Sequence, residues 1–76
     1  MNKLIEEVIE STAKRFGYQA ADILGRSRTR HLAEARAEAM SAARDLGFSF
    51  PELARNFGRD HSTIMHACRR AKGRAA

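Results

Sequence analysis

Apolar residues return along this chain every three or four positions, the spacing of helices rather than strands. Leu4, Ile5, Val8, Ile9, Ala13 and Phe16 predict a helix over residues 3–16, with Gly17 as its C-terminal stop. Tyr18 to Leu24 offers Ala20, Ala21, Ile23 and Leu24 for one or two helical turns, closed by Gly25. Leu32, Ala35, Ala39, Ala42, Ala43 and Leu46 mark the longest helix, over residues 30–46, ended by Gly47. Its alanines let neighbouring helices approach closely. Ser49-Phe50-Pro51-Glu52 has the Ser-x-x-Glu form of a capping box, with proline in the first turn where its missing N–H does no harm. A short helix should therefore run from Phe50 to Asn56, held down by Phe50, Leu53, Ala54 and Phe57. After a turn at Gly58, Asp60 is placed to cap a last helix whose apolar arc is Ile64, Ala67, Cys68 and Ala71. The tail from Lys72 to Ala76 is small and basic and is expected to fray. There is no internal repeat, glycine-rich phosphate loop or strand-type alternation. The expected fold is all-α: a compact bundle of about five helices forming a single domain over residues 1–76.

The opposite arc of the last helix changes the picture from fold to function. Ser62, Thr63, His66, Arg69 and Arg70 share it, giving short hydroxyls, an imidazole and two guanidiniums with no carboxylate among them. Such a set suits base edges and phosphates in a DNA groove. The short helix, the glycine turn and this helix together have the form of a helix-turn-helix, whose second helix enters the major groove by its N-terminal end. Plainer readings exist for single residues. Ser62 and Thr63 are common in first helical turns, and Arg69 and Arg70 also favour a helix C-terminal dipole.

Charge follows the same division. The net charge is +5, but residues 1–24 hold three bases and four acids, a balance of −1, while the remainder holds eleven bases and five acids, a balance of +6. Positive charge gathers where a polyanion-binding face needs it, nearly all of it as arginine, which pairs bidentately with phosphate or guanine. In Arg26-Ser27-Arg28-Thr29-Arg30, alternate arginines on a short loop can reach phosphates or a narrow minor groove; the plainer reading is a solvated loop with a helix cap at Ser27 or Thr29. Arg36 and Arg44 lie two turns apart on roughly one side of the long helix and could touch a DNA backbone, or pair with Glu34 and Glu38 at the surface.

Other chemistries fit poorly. His66 and Cys68 are about 200° apart on a helix, so they do not converge on a metal with His61, and no metal site is expected. His61 beside Asp60 and Ser62 imitates the composition of a catalytic triad, but consecutive helical residues do not face one another, and no enzyme activity, cofactor or nucleotide site is expected. The single cysteine excludes an internal disulfide and is expected to pack as a small hydrophobe. Glu6, Glu7 and Glu10 interrupt the N-terminal apolar residues, so neither a signal peptide nor a membrane span is expected, and the location is expected to be cytoplasmic, on the nucleoid. The stripe of the first helix is most simply core; the alternative is a surface for a homodimer or a partner protein, with DNA binding secondary.

The run Gly-Arg-Asp-His-Ser-Thr-Ile-Met-His-Ala-Cys-Arg-Arg from Gly58 to Arg70, preceded by Phe50-Pro51-Glu52-Leu53-Ala54, resembles the signature of the C-terminal DNA-binding domain of the bacterial replication initiator DnaA. The resemblance extends from the first helix to about Lys72. It implies double-stranded DNA as partner and a role in replication initiation or transcription regulation. Arg59, His61, Ser62, Thr63 and His66 match the family's major-groove and neighbouring phosphate contacts, and Asp60 its acidic position, where a carboxylate can accept from a cytosine amino group as well as cap. Phe50 and Pro51 match a position whose backbone meets phosphate, and Arg44 a basic position. The basic loop matches one that contacts the minor groove, with Arg28 as the inserted arginine and Arg26 and Arg30 beside it. The family's ATPase module has no counterpart in these residues, so ATP-driven origin opening is not implied. The chain could be a piece of a longer initiator, although Met1 just ahead of a helix is compatible with a complete small protein. Two departures bear on the tilt of the recognition helix: the family usually has two glycines before Arg-Asp-His where this chain has Gly58 alone, and the link from Leu46 to Ser49 is a residue short.

Overall fold

The computed structural model describes residues 1–75, which form five helices: α1 (Lys3–Phe16), α2 (Ala20–Leu24), α3 (Arg30–Asp45), α4 (Phe50–Phe57) and α5 (His61–Ala75). Each boundary has a local cause. Asn2 caps α1, its side-chain oxygen accepting from the amides of Leu4 and Ile5 at 2.9 and 3.3 Å. Gly17 ends α1 in the left-handed conformation, φ 82°, and its amide returns to the carbonyls of Ala13 and Lys14. The Asn2 amide also donates to Asn56 Oδ1 at 2.7 Å, which ties the start of α1 to the end of α4.

The long helix α3 packs against all four others. Its buried positions, Leu32, Ala35, Ala37, Ala39, Met40, Ser41 and Ala43, wrap well beyond one stripe, as expected of a helix covered on more than one side. Small alanines make that close approach possible, and the larger side chains come from the surroundings: Ile5 and Ile9 of α1, Ile23 of α2, Leu53 of α4 and Ile64 of α5 are fully buried, together with Met40. Phe16 and Tyr18 close the loop end of the bundle against His31, with the Tyr18 hydroxyl 3.1 Å from His31 Nδ1.

Two expectations are corrected. Leu4 and Leu46, placed on apolar stripes by their spacing, are 55% and 59% exposed. Leu46 is already the cap beyond α3, and the turn through Gly47 (φ 106°) carries it off the core. Lys72 to Ala75, expected to fray, continue α5 as helix; Ala71 is buried against the core just before them, and Lys72 reaches Asp45 at 3.5 Å. That ion pair is exposed and adds little, so the continuation rests on the packed helix behind it. Ala76, the last residue of that expectation, lies outside the described residues. No described helix is long and apolar enough to cross a membrane.

Candidate nucleic-acid interface

The helix-turn-helix is built from α4, the residues Gly58-Arg59-Asp60, and α5. Ser49 starts α4: its hydroxyl accepts from the Glu52 amide at 3.2 Å while Glu52 Oε1 accepts from the Ser49 amide at 2.9 Å, the reciprocal box anticipated from sequence. These bonds hold the Glu52 carboxyl below its ordinary range. At the other end, Gly58 turns left-handed (φ 65°), and the Gly58 and Arg59 amides both close on the Ala54 carbonyl. One glycine is thus enough to reverse the chain. Leu53 and Phe57 then bury their side chains in the core that also takes Ile64, Ala67, Cys68 and Ala71 of α5.

That burial turns the other face of α5 outward. His61, Ser62, Thr63, His66, Arg69 and Arg70 are all exposed, and so, by 37%, is Met65, which lies among them and which the polar pattern had passed over. Asp60 stands at the head of the helix, its carboxylate accepting from the Ser62 hydroxyl at 2.6 Å. The Ser62 hydroxyl chiefly, then His61 and the first backbone amides, hold the Asp60 carboxyl below its usual range, so it is anionic at neutral pH. Cys68 points the opposite way from His66, into the core, where burial pushes its thiol up and leaves it protonated and inert.

Beside the recognition helix runs the loop from Arg26 to Thr29, leading into Arg30 at the start of α3. Arg26, Arg28 and Arg30 are exposed. Thr29 occupies the position before α3 without capping it through its side chain; Ser27 Oγ and Thr29 Oγ1 instead lie 3.0 Å apart. A cleft of about 310 Å³ lined by Arg26, Ser27, Arg28, Arg36, Arg59 and Thr63 joins loop to helix. Arg30 and Arg70 share a second depression with Ala33 and Glu34. Arg44, farther round, lies 4.4 Å over the Phe50 ring and donates to the Phe48 carbonyl at 2.9 Å, fixing the bend before α4 while its side chain stays exposed. Phe50 is half-buried and Pro51 exposed at the N-terminus of α4.

Arg36 corrects the expectation of a phosphate-facing pair with Arg44. Its guanidinium turns inward and donates to four backbone carbonyls: Ile23 at 2.7 Å, Gly25 at 3.0 Å, Ser27 at 3.1 Å and Asp22 at 3.3 Å. Burial, and then the neighbouring Arg59 charge, lower its pKa, although a guanidinium stays charged regardless. The sequence did hold a signal, since Arg36 is four residues from both Leu32 and Met40 and therefore shares their buried side. Arg59 is half-buried and also turns to the loop, donating to the carbonyls of Gly25 and Phe57.

Comparison with known proteins agrees with this layout. The family model described as the bacterial dnaA protein helix-turn-helix matches residues 5–71, from the first turn of α1 to the buried Ala71 of α5. The chromosomal replication initiator protein DnaA of Tropheryma whipplei strain Twist, and that of strain TW08/27, are each 48% identical over 65 residues, covering 84% of this chain and 14% of the relative. The chain thus spans about one-seventh of the length of these curated relatives, with the match taking in α2, the arginine loop, α4 and the recognition face of α5 together. On that match, the chain belongs to the bacterial DnaA helix-turn-helix family.

Proposed function

We propose that this chain binds double-stranded DNA sequence-specifically, laying the N-terminal half of α5 in a major groove and the arginine loop in the adjacent minor groove. The observation that carries the reading is the outward face of α5, polar apart from Met65 and without carboxylate from Ser62 to Arg70, beside three exposed arginines of the loop. Thr63 offers its methyl to a thymine methyl and its hydroxyl to a base edge, His61 and His66 offer ring nitrogens, and Met65 adds apolar contact. Asp60, anionic and bonded to Ser62, can accept from a cytosine amino group at the edge of the site. Arg28 probes the minor groove, where narrow A·T tracts concentrate negative potential. Arg26, Arg30, Arg44, Arg69 and Arg70, with the backbone at the start of α4 where the Phe50 amide lies, hold phosphates and set the register.

In the cell this activity would modulate replication initiation or the promoters that carry initiator-type sites, since the relatives are named replication initiators. Selection of duplexes from a random pool at about 0.15 M salt tests it directly, because specificity has meaning only at stated salt. Enrichment of one site supports the reading; a pool that stays random defeats it. Arg28→Ala should weaken the enriched site while leaving the melting temperature alone, and unchanged affinity would remove the loop from the interface.

A second reading rests on the exposed Leu4 and Leu46, which line a groove with Glu7, Val8, Ser11, Thr12, Arg15 and Ala42. Two α1 helices paired antiparallel about Ser11 would set Glu7 of one copy against Arg15 of the other, giving a homodimer. Light scattering at high concentration decides it, and a monomer removes it.

A further inference from the structure

The two arginines turned away from solvent have a job that the groove contacts do not explain. Arg36 of α3 and Arg59 of the helix-turn-helix turn meet at one acceptor, the Gly25 carbonyl, although they lie on different elements and repel one another. Gly25 caps α2 in an extended rather than left-handed conformation (φ −75°), its amide closing only on the Asp22 carbonyl; Arg36 takes the Ile23 carbonyl and adds a second bond to that of Asp22. The same guanidinium reaches Ser27 inside the arginine loop. Arg59, one residue before Asp60, connects that loop to the head of the recognition helix.

We infer that Arg36 and Arg59 act as a bracket that fixes the arginine loop relative to the recognition helix and so sets the spacing between the minor-groove and major-groove contacts. The inference rests on the DNA-binding reading above for its second half and on the unbound protein for its first. In a short loop of arginines the side chains repel, and among the described residues the other hydrogen bonds of this stretch are local: the Gly25 amide donates to the Asp22 carbonyl, and Ser27 bonds Thr29. A planar fork with several donors can hold several carbonyls at once, whereas a lysine ammonium on the same stem is a single point. Arg28 therefore enters the minor groove from a backbone held in place before DNA arrives, and ordering the loop is not charged against binding.

The test uses the intact chain with Arg36→Met, Arg36→Lys and Arg59→Met, and Arg55→Met, an exposed α4 position outside the interface, as control. In the DNA-free protein, backbone order parameters from ¹⁵N relaxation over residues 26–29 should fall from the rigid value of about 0.85 towards about 0.6 or less in Arg36→Met, fall part of the way in Arg36→Lys, and stay in Arg55→Met. In duplex selection, Arg36→Met and Arg59→Met should keep the major-groove part of the site but lose about tenfold of the preference at the flanking minor-groove positions, or accept more than one spacing between the two parts. A loop as rigid as in the parent protein, or a folded variant that weakens on all sequences alike with spacing kept, overturns the bracket; the latter would mean the guanidinium itself holds a phosphate. If Arg36→Met does not fold, Arg59→Met carries the test, since removing it leaves the Asp22 and Ile23 carbonyls covered. A parent protein that enriches no site defeats the DNA reading alone, and the relaxation result still decides whether the loop is bracketed.

Discussion

On the proposed DNA-binding reading, Thr63 and His66 of α5 would tell one base pair from another, while Arg70 would only feel charge. All three are exposed, and their neighbours Ile64 and Ala67 anchor the backbone beneath them. Replacing Thr63 or His66 by alanine should therefore relax preference by about 1–3 kcal/mol at particular base pairs and leave folding alone. Arg70→Ala should weaken binding to every sequence alike and lower the salt slope by about one. Titration of duplexes with single substitutions separates the two patterns, and a Thr63→Ala protein with an unaltered preference would mean that α5 does not read bases. At this scale the sequence was legible where residue type and face agree, as at Thr63, and illegible where one long side chain chooses between solvent and carbonyls. Arg36 illustrates the second case: its spacing from Leu32 and Met40 marks the buried side, but the carbonyls that hold it there come from α2 ending beside it, which spacing along α3 does not reveal.

At the scale of elements, helix ends decide whether the recognition helix is presented at all. The Ser49 box was readable because both partners lie within one tetrapeptide, and Ser49→Ala should cost about 1 kcal/mol, several degrees of melting temperature in a domain this small. Gly58 and Gly73 make a sharper pair, since a Cβ added at either would meet nothing within 4 Å. Gly58 has φ 65°, where an L side chain clashes with its own backbone, so Gly58→Ala should destabilise by about 1 kcal/mol; Gly73 lies inside α5 with an ordinary φ, so Gly73→Ala should stabilise by about 0.5–1 kcal/mol. Opposite shifts in thermal melting confirm that conformation, not space, governs both. The carboxyls at the starts of α4 and α5 add a pH dependence. Glu52 and Asp60 are both depressed by bonds made only in the fold, so their stabilisation is complete above the unfolded pKa near about 4 and is lost as pH falls through the lower folded values. Melting temperature should thus decline in acid, and less steeply in Ser62→Ala, which removes the main cause of the Asp60 shift. The length of α5 was the element least legible in advance: composition of the tail argued for fraying, and packing of Ala71 against the core outweighed it.

For the molecule as a whole, the division of charge along the chain is a division between elements. The acidic residues Glu6, Glu7 and Glu10 lie exposed on α1, which packs on α2 and α3, whereas α5 and the arginine loop carry the excess of positive charge on the side built from α3, α4 and α5. With a longest dimension of 27 Å, one molecule can reach from a major groove into the next minor groove but not across a full turn of about 34 Å, so its phosphate contacts are few and countable. In the proposed complex Arg26, Arg30, Arg44, Arg69 and Arg70 are the exposed cations assigned to phosphate, Arg28 being assigned to the minor groove, while Arg36 and Arg59 face carbonyls. Five neutralised phosphates give a slope of about −4 to −5 in log affinity against log salt, a loss of about 500-fold between about 0.05 and 0.2 M. Binding isotherms across that range measure it. A slope near −8 would return Arg28, Arg36 and Arg59 to the phosphate set and break the division between arginines that face DNA and arginines that hold the fold; a slope near −1 would take the arginines off the DNA altogether. Because Glu6 and Glu10 belong to neither the helix-turn-helix nor the arginine loop, neutralising them should leave the slope unchanged, which distinguishes contacts at the groove from a general effect of net charge.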